Sequence, residues 1–342
     1  MTNQPHRPSP SVITAQDLAD RLSELDHIGI GPEGVNRLAW TAEDAACRRW
    51  FELQAGRLGM EFARDPAGNL WACPPLRGPW WGVGSHLDSV RRGGRFDGPL
   101  GVVSGFAIAA AGNVPIAVIS FADEEGARFN TPTFGSKALV GTLDLDVVLR
   151  REDDDGETVA QAMRETGLDP DLLRQAPPWL SRLAGFFEVH IDQTTELARA
   201  DSPIGIVSSL ASRMRIEAEV RGAADHAGTT PPAERQDALA AAARLIIAAE
   251  EVAQPAGGLT VTCSRIVAEP NAPTTIASRV RLWIDARSQR SSDLDSWLTR
   301  LEAAAEQLAS RWRVEIALRR ASSSAESEFS ASLRAALLAA AQ

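Results

Sequence analysis

The sequence predicts an α/β protein of two domains, on three observations. Its 342 residues are enough for two domains with substantial cores. Between residues 80 and 192, apolar strand-like runs alternate with glycine-containing loops and helical segments, which predicts a mostly parallel sheet with helices on both faces. After Pro203 the elements follow the order β-α-β-β-α-β, the ferredoxin-like arrangement. We therefore expect one domain over residues 1–210, to which residues 330–342 return, and a second over residues 211–329.

Local signals identify the elements of the first domain. Thr14 and Thr41 are each followed three residues later by an aspartate, a capping-box pattern that predicts the start of a helix. The turn that contains Asp65-Pro66 indicates a hairpin. The apolar runs at residues 80–83 and 114–121 indicate buried strands. The expected elements are, in chain order, helices over about Thr14–Asp26 and Thr41–Met60, a hairpin over Glu61–Pro74, a strand at Trp80–Val83, a helix from about Pro99 and a strand at Val114–Phe121.

The same reasoning applies to the second domain, where strand-like segments alternate with two amphipathic helices. The expected elements are a strand at 213–220, a helix at 234–252, strands at 259–267 and 280–286, a helix at 293–310, a strand at 313–318 and a last helix at 326–342.

Composition excludes several classes of function. A net charge of −10 without a basic stripe argues against nucleic-acid binding. The longest apolar stretch, residues 101–122, is interrupted by a turn with glycine and proline and is followed by carboxylates, so no membrane span is expected. Residues 1–10 are polar and lack the apolar core of a signal peptide. Three cysteines without paired spacing favour a reducing cytoplasm.

A histidine and two carboxylates follow the strand at residues 80–83. His86 lies at the carboxyl end of that strand, Asp88 faces the same side of the chain, and Asp97 lies in a glycine-rich loop. Imidazole and carboxylate suit zinc, and also manganese, cobalt or nickel. Each motif alone also fits a buried histidine or an aspartate that caps the next helix.

Three adjacent acids follow the next apolar strand directly. The carboxylates of Asp123, Glu124 and Glu125 repel one another unless a cation compensates their charge. Two neighbouring carboxylates also permit a division of roles, in which one binds a metal and the other takes a proton from water. Together with His86, Asp97 and a further histidine, His190 in the segment Phe187–Asp192, this pattern favours a metal-dependent hydrolase over a solvated acidic loop.

The motifs, in this order, resemble the M20-type amidohydrolases. The similarity runs over residues 15–320 and is greatest to the amidase, hydantoinase and carbamoylase group, which includes N-carbamoyl-L-amino acid hydrolases, β-ureidopropionases and allantoate amidohydrolases. The matching segments are Gly84-Ser85-His86-Leu87-Asp88, Gly94-Arg95-Phe96-Asp97-Gly98, Asp123-Glu124-Glu125-Gly126, Glu188-Val189-His190-Ile191-Asp192-Gln193 and Asp225-His226-Ala227-Gly228-Thr229-Thr230-Pro231. The combination is specific for the family and much less so for a substrate.

The resemblance implies a metal centre in the first domain. His86, Asp97 and His190 would bind one divalent cation, zinc or manganese, with cobalt or nickel as alternatives. Asp97 would bridge to a second cation held by Glu125, as in relatives with two cations per subunit. Glu124 would act as the general base.

The resemblance also assigns roles outside the metal ligands. Asp88 would orient His86, and His226, in a lid and dimerisation domain, would polarise the scissile carbonyl, in many relatives from the partner subunit of a homodimer. Arg287 would bind the substrate carboxylate, with Arg215 and Gln193 as further substrate contacts.

Three departures from the family pattern alter these expectations. Thr194 stands where relatives usually have glycine. Asn271 and Thr274 are the substrate contacts that the resemblance implies in the lid. Asn271 is retained, but Thr274 replaces a second asparagine, and a hydroxyl lacks the separate donor and acceptor groups of an amide. The family's last motif, Gly-His-Asp, which supplies a histidine to the second metal, has no counterpart before Gln342. We therefore expect at most one tightly bound cation.

The sequence thus predicts an enzyme that hydrolyses a linear amide or ureido bond of a small molecule. An N-carbamoyl amino acid is the first substrate expected, and allantoate or a similar ureido acid the second. Two alternatives remain: an M20 dipeptidase or aminoacylase, and a catalytically impaired or binding relative that lacks the last metal ligand.

Overall fold

Residues 12–75, 78–112, 114–175, 179–254 and 258–341 are described by a computed structural model. The predicted absence of a signal peptide concerns residues outside these ranges, as does Asn113 in the turn before the second buried strand. The chain divides into two units, Met1–Glu196 and Leu197–Gln342, each with its own core. Sheets and helices occur in both, so the predicted α/β class is confirmed.

Short helices and strands make up the first unit. In chain order they are α1 (Ala15–Leu25), β1 (Ile30–Gly31), β2 (Gly34–Val35), α2 (Ala42–Arg57), β3 (Glu61–Arg64), β4 (Leu70–Cys73), β5 (Trp80–His86), α3 (Pro99–Ala111), β6 (Ile116–Phe121), α4 (Phe134–Leu139), α5 (Leu145–Val148), α6 (Val159–Glu165) and β7 (Leu183–Phe187).

Local chemistry explains where the first two helices begin. The Thr14 side chain accepts a hydrogen bond from the backbone N–H of Asp17, and the Asp17 carboxylate accepts one from the backbone of Thr14. These two bonds satisfy polar groups that the first helical turn leaves without partners. The Thr41 side chain accepts from the N–H of Asp44 in the same way.

The main sheet of the first unit has five strands in the order β3-β4-β6-β5-β7. β5 lies parallel to both β6 and β7, whereas β4 lies antiparallel to β3 and β6. The hairpin β3–β4 therefore extends a parallel three-stranded part. Because β5, β6 and β7 run in one direction, the segments that follow them begin at the same edge of the sheet.

Both faces of this sheet are covered. On one face Val83 and Val118 pack in a cluster with Phe106 of α3 and Phe51 of α2. On the other face Ile119 packs in a cluster with α4 and with the segment before β7. Adjacent strand residues point to opposite faces, so burial on both faces accounts for the continuous apolar run of β6.

The second unit contains a four-stranded antiparallel sheet in the order β10-β11-β9-β12. Helices α8 and α9 cover one face, where alternate residues of β9 and β11 are buried around Trp297. The elements of the unit are α7 (Glu196–Arg199, across the division), β8 (Ser209–Leu210), β9 (Ser212–Arg221), α8 (Ala238–Glu251), β10 (Thr260–Glu269), β11 (Arg279–Ser288), α9 (Ser291–Trp312), β12 (Glu315–Ser324), β13 (Ser327–Glu328) and α10 (Ala331–Ala340).

Two helices of the second unit begin later than the sequence suggested. α8 begins at Ala238 because the Asp237 side chain accepts from the N–H groups of the next turn and so caps the helix. The last helix was expected from residue 326, but Ser330 caps it and residues 327–328 form β13.

The division between the units lies earlier than the boundary expected after residue 210, since β8 pairs with β13 within the second unit. The return of residues 330–342 to the metal-binding domain stays a prediction. No helix in the described ranges is both long and apolar enough to cross a membrane.

Candidate metal centre

Three side chains with metal-binding groups meet beyond the carboxyl ends of the parallel strands. His86 is the last residue of β5, and His190 follows β7. Asp97 lies in the loop before α3. One ligand atom from each of these residues lies within 4.8 Å of the other two. The group therefore joins parts of the chain that are about a hundred residues apart in sequence.

The distances within this group fit a single cation. The Oδ1 atom of Asp97 lies 3.2 Å from Nε2 of His190 and 3.7 Å from Nε2 of His86. Donor atoms bound to one tetrahedral zinc at its usual bond lengths lie about 3.3–3.6 Å apart. The three residues present are thus suited to hold a zinc-like ion.

The second nitrogen of each imidazole is held by a backbone carbonyl. Nδ1 of His86 lies 3.0 Å from the carbonyl oxygen of Asp88, and Nδ1 of His190 lies 2.9 Å from that of Ile191. A carbonyl accepts but cannot donate, so each Nδ1 carries a proton, and in the neutral ring the lone pair is on Nε2. This tautomer is the one that a metal-binding imidazole needs.

His86 is buried between carboxylates that favour its charged form. Burial alone would lower the pKa of this imidazole, but the adjacent carboxylates of Asp88 and Asp97 raise that pKa well above its usual value. The same contact with His86 lowers the pKa of the Asp97 carboxyl. The negative charge of Asp97 therefore lies beside a ring whose charged form it stabilises.

Asp88 contacts two parts of the site. Its Oδ1 lies 3.5 Å from Nδ1 of His86. Its two carboxylate oxygens also accept from the backbone N–H groups of Glu124 and Glu125, at 3.2 and 3.1 Å. Asp88 thus anchors the acidic turn after β6 to the loop after β5. Sequence reasoning missed this second role, because backbone hydrogen bonds leave no pattern in residue types.

The acidic turn is held in an unusual conformation. Asp123 has φ of 46°, in the left-handed region, and its buried Oδ2 accepts from the Thr131 hydroxyl at 2.9 Å. The N–H groups of Thr133 and Phe134 donate to the carbonyls of Glu124 and Asp123. Residues 123 and 124 are therefore fixed by the segment that leads into α4.

The two glutamates of this turn differ in position. Oε2 of Glu124 lies 3.8 Å from Nε2 of His86, at the imidazole atom that would bind a cation. Among the described residues, no group of three ligating side chains within bonding reach includes Glu125. Burial raises the pKa of both carboxyls, that of Glu125 to about 7. These pKa shifts therefore do not distinguish the two glutamates, whereas the contact of Glu124 with His86 does.

A cleft of about 200 Å³ opens beside the two imidazoles. Sequence reasoning did not identify Ser85, Glu188 or Ser136 as part of it. The Ser85 hydroxyl donates to Glu188 at 2.6 Å, which fixes this carboxylate near His190. Glu188 stands two residues before His190, a spacing that could have indicated it. The cleft is lined by Ser85, His86, Phe121, Glu124, Ser136, Glu188 and His190.

Gln193 does not line this cleft. Its amide nitrogen instead donates a hydrogen bond to Oδ2 of Asp97. This contact connects the loop after β7 with the loop before α3, and the sequence did not predict it.

His226 lies in the loop between β9 and α8 of the second unit. Its Nδ1 lies 3.0 and 3.2 Å from the backbone nitrogens of Gly228 and Thr229, both donors. Nδ1 is therefore an acceptor, and a neutral His226 carries its proton on Nε2. The exposed ring can donate this proton in a hydrogen bond.

The loop between β10 and β11 supports the segment around His226. The carbonyl of Thr274 accepts from the N–H of Ala227 at 2.9 Å, and His226 forms a bridge with Thr275. The predicted contact residue Asn271 lies in the same loop. Thr274 thus acts here through its backbone.

The two predicted substrate arginines lie on either side of one carboxylate. Nε of Arg215 and Nε of Arg287 lie 3.1 and 2.9 Å from the two oxygens of Asp285. This shared partner fixes the direction of both guanidinium groups on the exposed face of the sheet. A guanidinium carries five N–H donors in a planar fork, a geometry that suits the recognition of carboxylates.

Comparisons with known proteins show which sequences this chain is similar to. A family model described as a peptidase dimerisation domain of the M20 type matches residues 209–313. The chain is 36% identical over 320 residues to the N-carbamoyl-L-amino acid amidohydrolase of Geobacillus stearothermophilus, an alignment that covers 90% of this chain and 78% of that one. It is 29% identical over 295 residues to the allantoate amidohydrolase of Bacillus subtilis, covering 82% of this chain and 70% of that one.

Solved structures agree with these relatives. An amidase of the hydantoinase/carbamoylase family from Burkholderia vietnamiensis superposes with a TM-score of 0.88 at 28% identity, covering 96% of this chain and 82% of that one. Sequence and structure thus point to the same group, and this chain belongs to the M20-type amidohydrolases of the amidase, hydantoinase and carbamoylase family.

Proposed function

We propose that this enzyme hydrolyses a linear amide or ureido bond, with N-carbamoyl-L-amino acids as the first substrate class and allantoate or a similar ureido acid as the second. The observation that carries the proposal is the group of His86, Asp97 and His190 with the Glu124 carboxylate beside it. The named relatives support the choice of bond.

His86, Asp97 and His190 would hold one divalent cation, zinc or manganese, with cobalt and nickel as further candidates. When bound, the cation supplies Lewis acidity at the carbonyl and the attacking water. The residues contribute two neutral imidazoles and one carboxylate, a donor set that suits these ions. The carbonyls that hold each Nδ1 keep the rings in place.

Glu124 would accept the proton of the attacking water and deliver it to the leaving nitrogen. Its position beside Nε2 of His86 supports this role, because a general base must lie within reach of the proton it takes. Burial raises the pKa of its carboxyl, which increases its basicity. Glu125 is left as a ligand for any additional cation.

The second unit would serve as a lid and dimerisation domain of a homodimer, and the matching family model supports this role. We assign to Nε2–H of His226 the stabilisation of the oxyanion, from the partner subunit. Arg287 and Arg215 would bind the carboxylate of the substrate. Asn271 and Thr274 would contact its ureido end. A reducing cytoplasm suits the three free cysteines.

Two variants test the division of roles in the acidic turn. Hydrolysis of N-carbamoyl amino acids would be assayed with added Zn²⁺ or Mn²⁺, with dipeptides and N-acyl amino acids as competing substrate classes. We expect Glu124→Gln to abolish turnover with metal content near that of the parent, and Glu125→Gln chiefly to weaken metal retention. The reverse pattern would contradict the assignment. Turnover of dipeptides alone would contradict the substrate class.

A mixed dimer tests the role of His226. A His226→Ala chain and a Glu124→Gln chain are each expected to be inactive. If His226 acts across the interface, mixed dimers contain one intact site and activity reappears after subunit exchange. Absence of recovery, with exchange proven by mass spectrometry and an active parent, would place His226 in the site of its own chain.

A further inference from the structure

The sheet of the second unit carries its charged side chains on the face opposite α8 and α9. Alternate residues of β9 and β11 point to this face, and the strand register aligns them with residues of β10 and β12 in five rows across the sheet. In three rows the numbers of arginines and carboxylates are equal, and these are the row of Glu269, Arg279, Arg221 and Glu315, the row of Val267, Arg281, Glu219 and Ala317, and the row of Thr262, Asp285, Arg215 and Ser322. A fourth row, which contains Glu217 and Arg319, has one arginine in excess, Arg265, whose guanidinium lies over the ring of Trp283. Charge on this face is thus largely balanced row by row.

The fifth row differs from the others because its two central residues are both arginines. Arg287 of β11 lies directly opposite Arg213 of β9, with Thr260 of β10 and Ser324 of β12 at the two ends of the row. The row contains no carboxylate. Like charges that lie directly opposite one another destabilise a sheet. An anion bound at this row would remove that repulsion.

One carboxylate in the adjacent row lies close to this pair. Asp285 accepts hydrogen bonds from Arg215 and Arg287 at 3.1 and 2.9 Å, so its single charge is shared between two guanidinium groups. Across the two rows, three arginines stand beside one carboxylate, which leaves an excess of two positive charges. The other positions of the two rows hold hydroxyl side chains, those of Thr260, Thr262, Ser322 and Ser324. A chain with a net charge of −10 thus concentrates positive charge at this end of the sheet.

We propose that this end of the sheet selects a ureido acid with two carboxylates, and that Arg213 is a specificity-determining residue. Such a substrate carries two negative charges, which equal the excess of positive charge in the two rows. Arg287 and Arg215 would bind the first carboxylate, as in the proposed function on which this inference rests. Arg213, directly opposite Arg287, would bind the second, since a planar guanidinium fork suits a carboxylate. An N-carbamoyl amino acid with an acidic side chain is the substrate class that fits.

Two matched ligands test this inference by binding rather than by turnover. N-carbamoyl-L-aspartate and N-carbamoyl-L-asparagine have nearly the same size and differ by one negative charge. Isothermal titration calorimetry at physiological ionic strength would give their dissociation constants. The parent is the full chain loaded with Zn²⁺, and every chain carries Glu124→Gln so that neither ligand is hydrolysed. Arg213→Gln and Arg287→Gln would be compared with this parent. Arg319→Gln is the matched control, because it removes an exposed arginine of the same sheet face, where Arg319 pairs with Glu217.

We expect the parent to bind the aspartate derivative about 10- to 100-fold more tightly than the asparagine derivative, the usual effect of one hydrogen-bonded charge pair. Arg213→Gln should bind the aspartate derivative about 10- to 100-fold more weakly than the parent does, and the asparagine derivative equally well. Arg287→Gln should weaken the binding of both ligands, because both carry the first carboxylate. The control should match the parent. Without ligand, Arg213→Gln should be at least as stable to urea as the parent, since it removes the repulsion between like charges.

The contrary outcomes are distinguishable. Equal affinity of the parent for the two ligands would overturn the site for a second carboxylate and leave the proposed function in place. The role of Arg213 would be overturned by an Arg213→Gln variant that retains the parent's preference, or by one that binds both ligands equally more weakly and is less stable to urea. An equal loss in Arg319→Gln would assign the preference to overall charge and overturn that role too. Binding of neither ligand by a Zn²⁺-loaded parent that circular dichroism shows to be folded would overturn both proposals.

Discussion

Gly98 provides a test of how closely the loop before α3 is fitted to His86. Its φ of 84° is in the left-handed region, which favours glycine. A Cβ atom at this position would lie 2.5 Å from the carbonyl oxygen of His86, 2.6 Å from Nδ1 and 2.7 Å from Cε1. Gly98→Ala therefore forces the imidazole, the loop or both to move.

The expected size of this effect follows from two contributions. The left-handed conformation costs about 1–2 kcal/mol for a residue with a Cβ atom. The three contacts fall about 0.7–0.9 Å short of an ordinary contact of 3.4 Å, and overpacking of this kind costs about 1–3 kcal/mol. We expect the free energy of unfolding to fall by about 2–5 kcal/mol. Because metal–ligand distances tolerate only about 0.2 Å, we also expect cation affinity to fall about 10- to 100-fold.

Urea denaturation and Zn²⁺ titration of the metal-free protein would measure both effects. Gly94→Ala is the matched control, because Gly94 lies in the same loop, is outside the left-handed region, and has no atom within 4 Å of the position that an added methyl group would take. It should match the parent in both measurements. A Gly98→Ala variant with the stability and Zn²⁺ affinity of Gly94→Ala would refute the close fit between Gly98 and His86.

Three further predictions concern stability and thiol chemistry. The Glu24 carboxylate loses solvation on burial, but hydrogen bonds from Arg57 and two other side chains lower its pKa overall. A lowered carboxyl pKa stabilises the fold above the unfolded-state pKa, and this stabilisation is lost as pH falls. Urea denaturation at a series of pH values should therefore show that the parent loses stability in the acid range more steeply than Glu24→Gln. Burial raises the pKa of Cys47 to about 12 and that of Cys73 to about 11, so both thiols stay protonated at pH 8. Because the thiolate is the reactive form, mass spectrometry should find both residues unlabelled by a thiol reagent in the folded protein and labelled after denaturation. Trp297→Ala should lower the free energy of unfolding of the second unit by about 3–5 kcal/mol, because Trp297 is fully buried and donates to the Ala249 carbonyl. Trp297→Phe should lower this free energy by less, and equal decreases in the two variants would contradict the packing argument.

Elements that depend on neighbouring residues could be predicted from the sequence. The start of α1 follows from Thr14 and Asp17, three residues apart, and the apolar run of β6 follows from burial on both sides. The first candidate ligands could be named because an imidazole and carboxylates stand at strand ends, where α/β sheets form their sites. Such signals lie within a few residues of one another, so they can be read without the fold.

Only the folded structure shows which distant residues meet and through which atoms. The contact of Gln193 with Oδ2 of Asp97 joins residues 96 apart, and the anchoring of the acidic turn by Asp88 uses backbone N–H groups that every residue type except proline carries. The position of β4 between β3 and β6 likewise depends on pairing across the sheet. Contacts of this kind are selected by the packing of the whole unit, and for that reason local residue patterns do not encode them.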